Sequence, residues 1–190
     1  MPSREERATK RAATEAVALE RNKTYERQRH GARVVLPAMD GCVMVVSDQH
    51  YCPDMEPSAA HRASVLIAKK LKPFAIVANG DAIDGASISR WPVSSFVEMH
   101  GRPTVAAELK ETGERLRDYE KLHVAKYLVW NLGNHDARFE TRLAEKVPEY
   151  AGVDGFTLKE HFPYWLPAWR TDFCVQRGSN VPLVIVKHRF

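Results

Sequence analysis

Lys126-Tyr127-Leu128-Val129-Trp130-Asn131-Leu132-Gly133-Asn134-His135-Asp136 joins a short apolar run to a polar string of uncommon content. Lys126 to Leu132 is short and rich in side chains that favour extended backbone, so it reads as a buried strand. The string that follows offers a carboxamide, an imidazole and a carboxylate at the strand's carboxyl end. Ala137 to Lys146 then reads as a helix, broken by Pro148. From average residue usage, Gly-Asn-His followed by an acid should arise by chance in roughly one chain per thousand of this length.

The same grammar recurs twice upstream. Cys42 to Ser47 is an apolar run followed by Asp48-Gln49-His50, and Phe74 to Ala78 is followed by Gly80-Asp81-Ala82-Ile83-Asp84. Between them Pro57 to Lys72 reads as a helix with Ala60, Ser64, Ile67 and Leu71 on its inner face, ended by Pro73. Residues 79–103 show no period and read as a long functional loop. Thr104 caps a helix to about Lys121, with Val105, Leu109 and Leu116 inward. Residues 150–170 read as irregular. Thr171 to Val175 and Val181 to Lys187 are further strands, joined by a turn through Gly178-Ser179-Asn180. Strand–helix–strand order predicts an α/β fold with parallel pairing. Reactive groups then belong beyond the carboxyl ends of the strands, where all three strings fall.

Taken singly, Asp48-x-His50 and Gly80-Asp81 are weak signals, since a loop Asp or a turn Gly explains each. In an extended segment Asp48 and His50 would share one side, as two ligands of one ion require. The conjunction of three such strings, each after a predicted strand, points to a cage of oxygen and nitrogen donors for hard or borderline cations. Arg90, Arg138 and Arg142 lie near the strings and could each clamp a phosphate, with Arg138 the first choice. Trp91, Trp130, Trp165 and Trp169 fit core packing better than base stacking. His61, His100, His123 and His161 match no motif and read as structural or exposed.

Composition sets the limits. The 190 residues are 44% hydrophobic and 27% charged, as expected of one globular domain. Cys42, Cys52 and Cys174 are odd in number and lack CxxC spacing, which argues against a disulfide framework and a thiolate zinc site. No run is long and apolar enough for a bilayer, so a cytoplasmic protein is expected. Residues 1–33 carry nine Lys or Arg against five Glu, and residues 34–190 carry nineteen of each sign. The segment 1–33 therefore reads as a basic helical extension. A solvated, salt-bridged helix explains it better than a phosphate-seeking arm.

With these strings in order, residues 40–190 resemble the calcineurin-like metallophosphoesterase superfamily, whose pattern runs DxH, GDxxD or GDxxN, GNHD or GNHE, a lone His after a strand, and GHxH. The GNHD form is similar to the nuclease and general phosphoesterase branches, and the long loop with Gly85 to Arg90 and the Ala137-Arg138-Phe139-Glu140 continuation are similar to phage- and prophage-type members. The resemblance implies a metallophosphoesterase domain over 34–190 with an α/β/β/α sandwich, and two divalent metal ions. It implies that Asp48 and His50 bind the first ion, that Asp81 bridges, and that Asn134 and His188 bind the second. His135 is then the general acid, oriented by Asp84, with Arg138 and Arg90 on the substrate phosphate. Oxygen and nitrogen donors without thiolate suit Mn, Fe or Zn. The implied activity is hydrolysis of a phosphomonoester or phosphodiester, with nucleic acid among the candidate substrates. The sequence reaches Phe190 without GHxH, so the sandwich is expected to be C-terminally incomplete, each ion one ligand short. A missing C-terminal segment or a protein partner would complete it. The alternative is a non-catalytic binding module, or an inactive fragment of the same fold.

Overall fold

The computed structural model describes residues 33–37, 41–89, 101–174 and 182–189. The basic segment 1–33 (apart from Arg33), Arg90, Trp91, His100 and the 178–180 turn lie outside them. A parallel sheet is built from β2 (Val43–Val46), β3 (Ala75–Asn79), β4 (Tyr127–Asn131) and β5 (Leu166–Ala168), in that spatial order. Val46 pairs with Ala78, and Ala78 with Trp130, so the three strand ends that precede the polar strings stand in one row. A second sheet has the order β1 (Val34–Pro37), β6 (Thr171–Cys174), β7 (Pro182–Val186), with β1 parallel and β7 antiparallel to β6.

Alternation of side chains along β3 and β4 gives the first sheet two apolar faces. On one face Ile76, Ala78 and Trp130 pack with Ala68, Leu116, Tyr119 and Phe139 of the helices. On the other, Ala75, Val77 and Val129 pack with Leu36 and Phe173 of the second sheet. The described residues thus form a mixed α/β fold of a helix layer, a parallel core sheet and a second sheet. Leu183 (66% exposed) and Ile185 (52%) stay open on β7. The outer face of the second sheet has no described helix over it.

Helix α1 (Ala59–Leu71) starts where Ser58 Oγ accepts the His61 N–H at 3.0 Å, and ends at Lys72 in the left-handed region. Its inner stripe is His61, Ser64, Val65 and Ala68, while Ile67 and Leu71 are exposed. The expected face of Ala60, Ile67 and Leu71 is therefore wrong. A buried histidine turns the helix: Tyr51 Oη and Asp118 Oδ2 lie 2.9 and 3.1 Å from the two ring nitrogens of His61. That polar pairing outweighs the exposure of two aliphatic side chains, because an unpaired buried imidazole would cost more. Helix α2 (Val105–Glu120) is capped by Thr104 as the sequence predicts, with Leu116 fully buried. β2 is an edge strand, so Val43 and Val45 are exposed and only Met44 and Val46 face the helices. The expected strand is there, but its burial is confined to one face. β1 and β5 were not foreseen, and β5 carries Pro167 where only an edge strand tolerates it.

Candidate metal centre

Helix α3 (Asn134–Lys146) begins three residues earlier than its composition suggests. Asp136 is the cause. Its Oδ2 accepts the Gly133 N–H at 2.9 Å, which caps the first turn and makes Asn134 and His135 helical. The same fully buried carboxylate accepts the N–H groups of Asp81 (2.8 Å) and Ile83 (2.9 Å) and the Trp130 indole N–H (3.1 Å). One side chain therefore fastens the Gly80–Asp84 loop to the Gly133–Asp136 turn. Burial pushes its carboxyl up to about 6, against the pull of those donors.

Two glycines set how closely the loops approach. A Cβ on Gly133 would stand 2.1 Å from Asp81 Oδ1 and 2.6 Å from Asp81 N. One on Gly80, whose φ is +83°, would stand 2.2 Å from His188 Cγ. Gly133→Ala is therefore expected to displace Asp81 and to lower stability by about 1–3 kcal/mol. Urea unfolding measures this, and an unchanged midpoint would mean the loops have room to part.

The first string does not extend as expected. Asp48 and His50 have φ of 53° and 42°, and Asp81 has 53°, all unusual for non-glycine residues. The cause is main-chain pairing between the loops: the N–H groups of Asp48, His50 and Tyr51 donate to the carbonyls of Gly80, Asp81 and Ala82. Asp48 and His50 consequently part company. Asp48, Asp81 and His188 offer one set of donor atoms within 4.8 Å of one another, and His50, Asp84 and His135 offer another. Asp48 and His50, expected to serve one ion together, thus offer their donor atoms to different sets.

Asp81 stands where the sets meet. Its Oδ1 accepts the His135 N–H at 2.9 Å. Its Oδ2 lies 3.4 Å from His188 Nε2 and 3.9 Å from His50 Nε2. His188 Nδ1 is 2.9 Å from the Asn79 carbonyl, which can only accept, so Nδ1 carries the hydrogen. His50 Nδ1 likewise donates to Asp84 Oδ1 at 3.1 Å. In their neutral forms both histidines therefore present a lone pair at Nε2 towards a nearly buried carboxylate. A metal ion among these acceptors would offset their mutual repulsion. A ligating histidine whose other nitrogen is fixed by a carbonyl or carboxylate is the usual arrangement at metal sites.

His135 differs in its support. Its Nδ1 donates a short hydrogen bond to the Asp84 carbonyl oxygen, while the Asp84 carboxylate is 3.9 Å away. Asp84 orients the ring through its main chain, not through its carboxylate as expected. The His50 and His135 rings meet edge to face at 4.6 Å. Arg138 Nη1 lies 3.2 Å from the same Asp84 carbonyl and 3.0 Å from His135 Nδ1. A guanidinium only donates, so with the hydrogen on Nδ1 it bonds the carbonyl, and it can bond Nδ1 only in the other tautomer. Asn134 is exposed at the first position of α3, and its carboxamide has no hydrogen-bond partner among the described residues. Arg142 is exposed, and Arg90 lies outside the described residues. Reading the motif missed Asp136 as the organiser of the site, although it is the last letter of the most specific string. Among the described residues no helix is long and apolar enough to cross a membrane.

Comparison with models of known protein families, with curated proteins and with solved structures found no match.

Proposed function

We propose that this chain is a metal-dependent phosphoester hydrolase of the calcineurin-like metallophosphoesterase type, working with two divalent cations. The observation that carries the reading is the convergence of His50 Nε2 and His188 Nε2 on Asp81 Oδ2, at 3.9 and 3.4 Å. The donor set of carboxylate oxygens and imidazole nitrogens fits Mn, Fe or Zn. Two such cations supply Lewis acidity for displacement at phosphorus and make water a nucleophile near neutral pH.

The chain's own residues divide the remaining work. Asp48, Asp81 and His188 form one side of the cage, and His50 joins through Asp81. Asn134 adds a neutral ligand at the head of α3. His135, held at Nδ1 by the Asp84 carbonyl, would act as an imidazolium, passing its Nε2 proton to the leaving oxygen and being left as the neutral ring with its hydrogen on Nδ1. Arg138 lies next to it and meets phosphate charge. The polypeptide is a cytoplasmic enzyme on this reading, with nucleic acid among its candidate substrates.

Hydrolysis of bis-p-nitrophenyl phosphate tests this. Turnover is expected with added Mn and is expected to vanish with EDTA and return when Mn is restored. Metal-independent turnover, or none with Mn, Fe or Zn, counts against the reading. A fold kept for binding alone would instead retain Mn and show no turnover.

A further inference from the structure

Beside the donor cluster lies a cavity of about 350 Å³, lined by Asp84, Ala86, Ser89, Arg102, His135 and Arg138. Two observations make it a built site. First, it carries two guanidinium groups that come from different elements: Arg138 from α3, and Arg102 from the chain just before the Thr104 cap of α2. Second, its floor is tied down from three sides. Arg102 Nη1 donates to the Ala86 carbonyl at 2.8 Å, and Arg138 Nη1 to the carbonyls of Asp84 and Gly85 at 3.2 and 3.5 Å. From below, Glu108, 1% exposed, accepts the Ala86 N–H at 2.9 Å and the Ser87 hydroxyl at 3.3 Å. The short 3₁₀ turn Ala86–Ile88 is thus held before any ligand arrives, which spares the ordering cost of binding.

His135 belongs both to this cavity and to the donor cluster. A group that receives a proton from His135 therefore departs next to a cavity that the same side chain lines. There it meets two arginines, whose planar forks match phosphate oxygens. Resting on the hydrolase reading above, we propose that the Arg102–Arg138 cavity binds a second phosphate, carried by the leaving group next to the scissile phosphorus. Its volume, at the small end of ligand pockets, admits a phosphate with part of a sugar. The preferred substrates then carry phosphates in series, as a nucleotide strand or a diphosphate ester does.

The test has a binding arm and a turnover arm, both on the full chain. In EDTA, inorganic pyrophosphate titrated calorimetrically is expected to bind. Arg102→Gln and Arg138→Gln are each expected to weaken it about tenfold, as loss of a charge-assisted contact would. Ser89→Glu sets a carboxylate in the cavity without removing either arginine's bond to the floor, and is expected to weaken binding as much. It decides the matter should an arginine variant fail to melt like the wild type. With Mn, the dinucleotide TpT bearing a terminal phosphate is expected to be cleaved at least about fivefold faster, as kcat/KM, than TpT itself. Ser89→Glu should erase that preference. A terminal phosphate favoured while pyrophosphate stays unbound points to nucleotide strands as the source. Pyrophosphate binding that ignores Ser89→Glu, or equal turnover of the two dinucleotides, overturns the proposal and leaves the hydrolase reading standing. Pyrophosphate binding that Ser89→Glu abolishes, without hydrolysis of any ester, overturns the hydrolase reading and the leaving-group role with it, and leaves the cavity a phosphate site.

Discussion

Replacing Asp81 with Asn is expected to lower Mn affinity by at least about a hundredfold and to abolish Mn-dependent hydrolysis. Even groups that only support a ligand cost about 10–100-fold when removed, and Asp81 is the carboxylate on which both halves of the site converge. The substitution preserves shape. The Asn oxygen can still accept the His135 N–H now held at 2.9 Å, and the new N–H₂ faces the His188 and His50 nitrogens that now confront a carboxylate. Without metal, an acceptor surrounded by acceptors becomes a donor among them. The Asn variant is therefore expected to melt at or above the wild type in EDTA, and below it in excess Mn. Only the wild type then gains RT ln(1 + [Mn]/Kd) from binding. Crossing of the two melting curves is the signature. If Mn stabilises both proteins equally, Asp81 is not a ligand. His135→Ala separates the neighbouring role: Mn-induced stabilisation should persist while kcat falls by about 10²–10⁴, the usual worth of a general acid. Loss of Mn binding in that variant would instead make His135 a ligand alongside His50 and Asp84.

Much of this site is visible in the sequence because its residues obey local rules. Ser47, Asn79 and Leu132 each end or follow a strand, and parallel register brings the next residues together without further information. What sequence does not carry is the way loops bind one another. Asp48 and His50 were expected to alternate as in a strand. The carbonyls of Gly80 and Asp81 instead draw their N–H groups and force both residues to positive φ. The inner face of α1 was misjudged for a similar reason. Hydropathy favours Ile67 and Leu71, but His61 has partners in Tyr51 and in Asp118, 57 residues away, and no periodicity reveals them. β1 and β5 escaped notice because they are short, Val34–Pro37 and Leu166–Ala168, and both carry proline. The orientation of His135 by a main-chain carbonyl is invisible in principle, since every residue at position 84 has one.

Asp136 shows how a motif letter can be structural and still decide function. Asp136→Ala would leave four buried donors without their acceptor: the N–H groups of Asp81, Ile83 and Gly133 and the Trp130 indole. Each orphaned donor costs about 1–3 kcal/mol, with water entering the void to relieve part of it. The expected loss is about 3–5 kcal/mol, large for any single substitution. For a unit of this size that lowers Tm by about 10 °C. The two loops would then no longer be fastened, so Mn affinity should fall with stability although Asp136 touches no cation. Loss of stability with unchanged Mn affinity would show that Asp81 is placed by other contacts. Acid should reveal the same group in a second way. Burial raises its folded carboxyl to about 6 from an ordinary 3.8, so the folded chain holds this proton more tightly than the unfolded one. Protonation therefore stabilises the fold, fully below the ordinary value, and that contribution is lost as pH rises through about 6. In EDTA the stability of the wild type relative to Asp136→Asn, which cannot titrate, is expected to rise as pH falls from about 6 to about 4. A difference that stays flat across that window would mean the carboxylate remains ionised there, held by its four donors against burial.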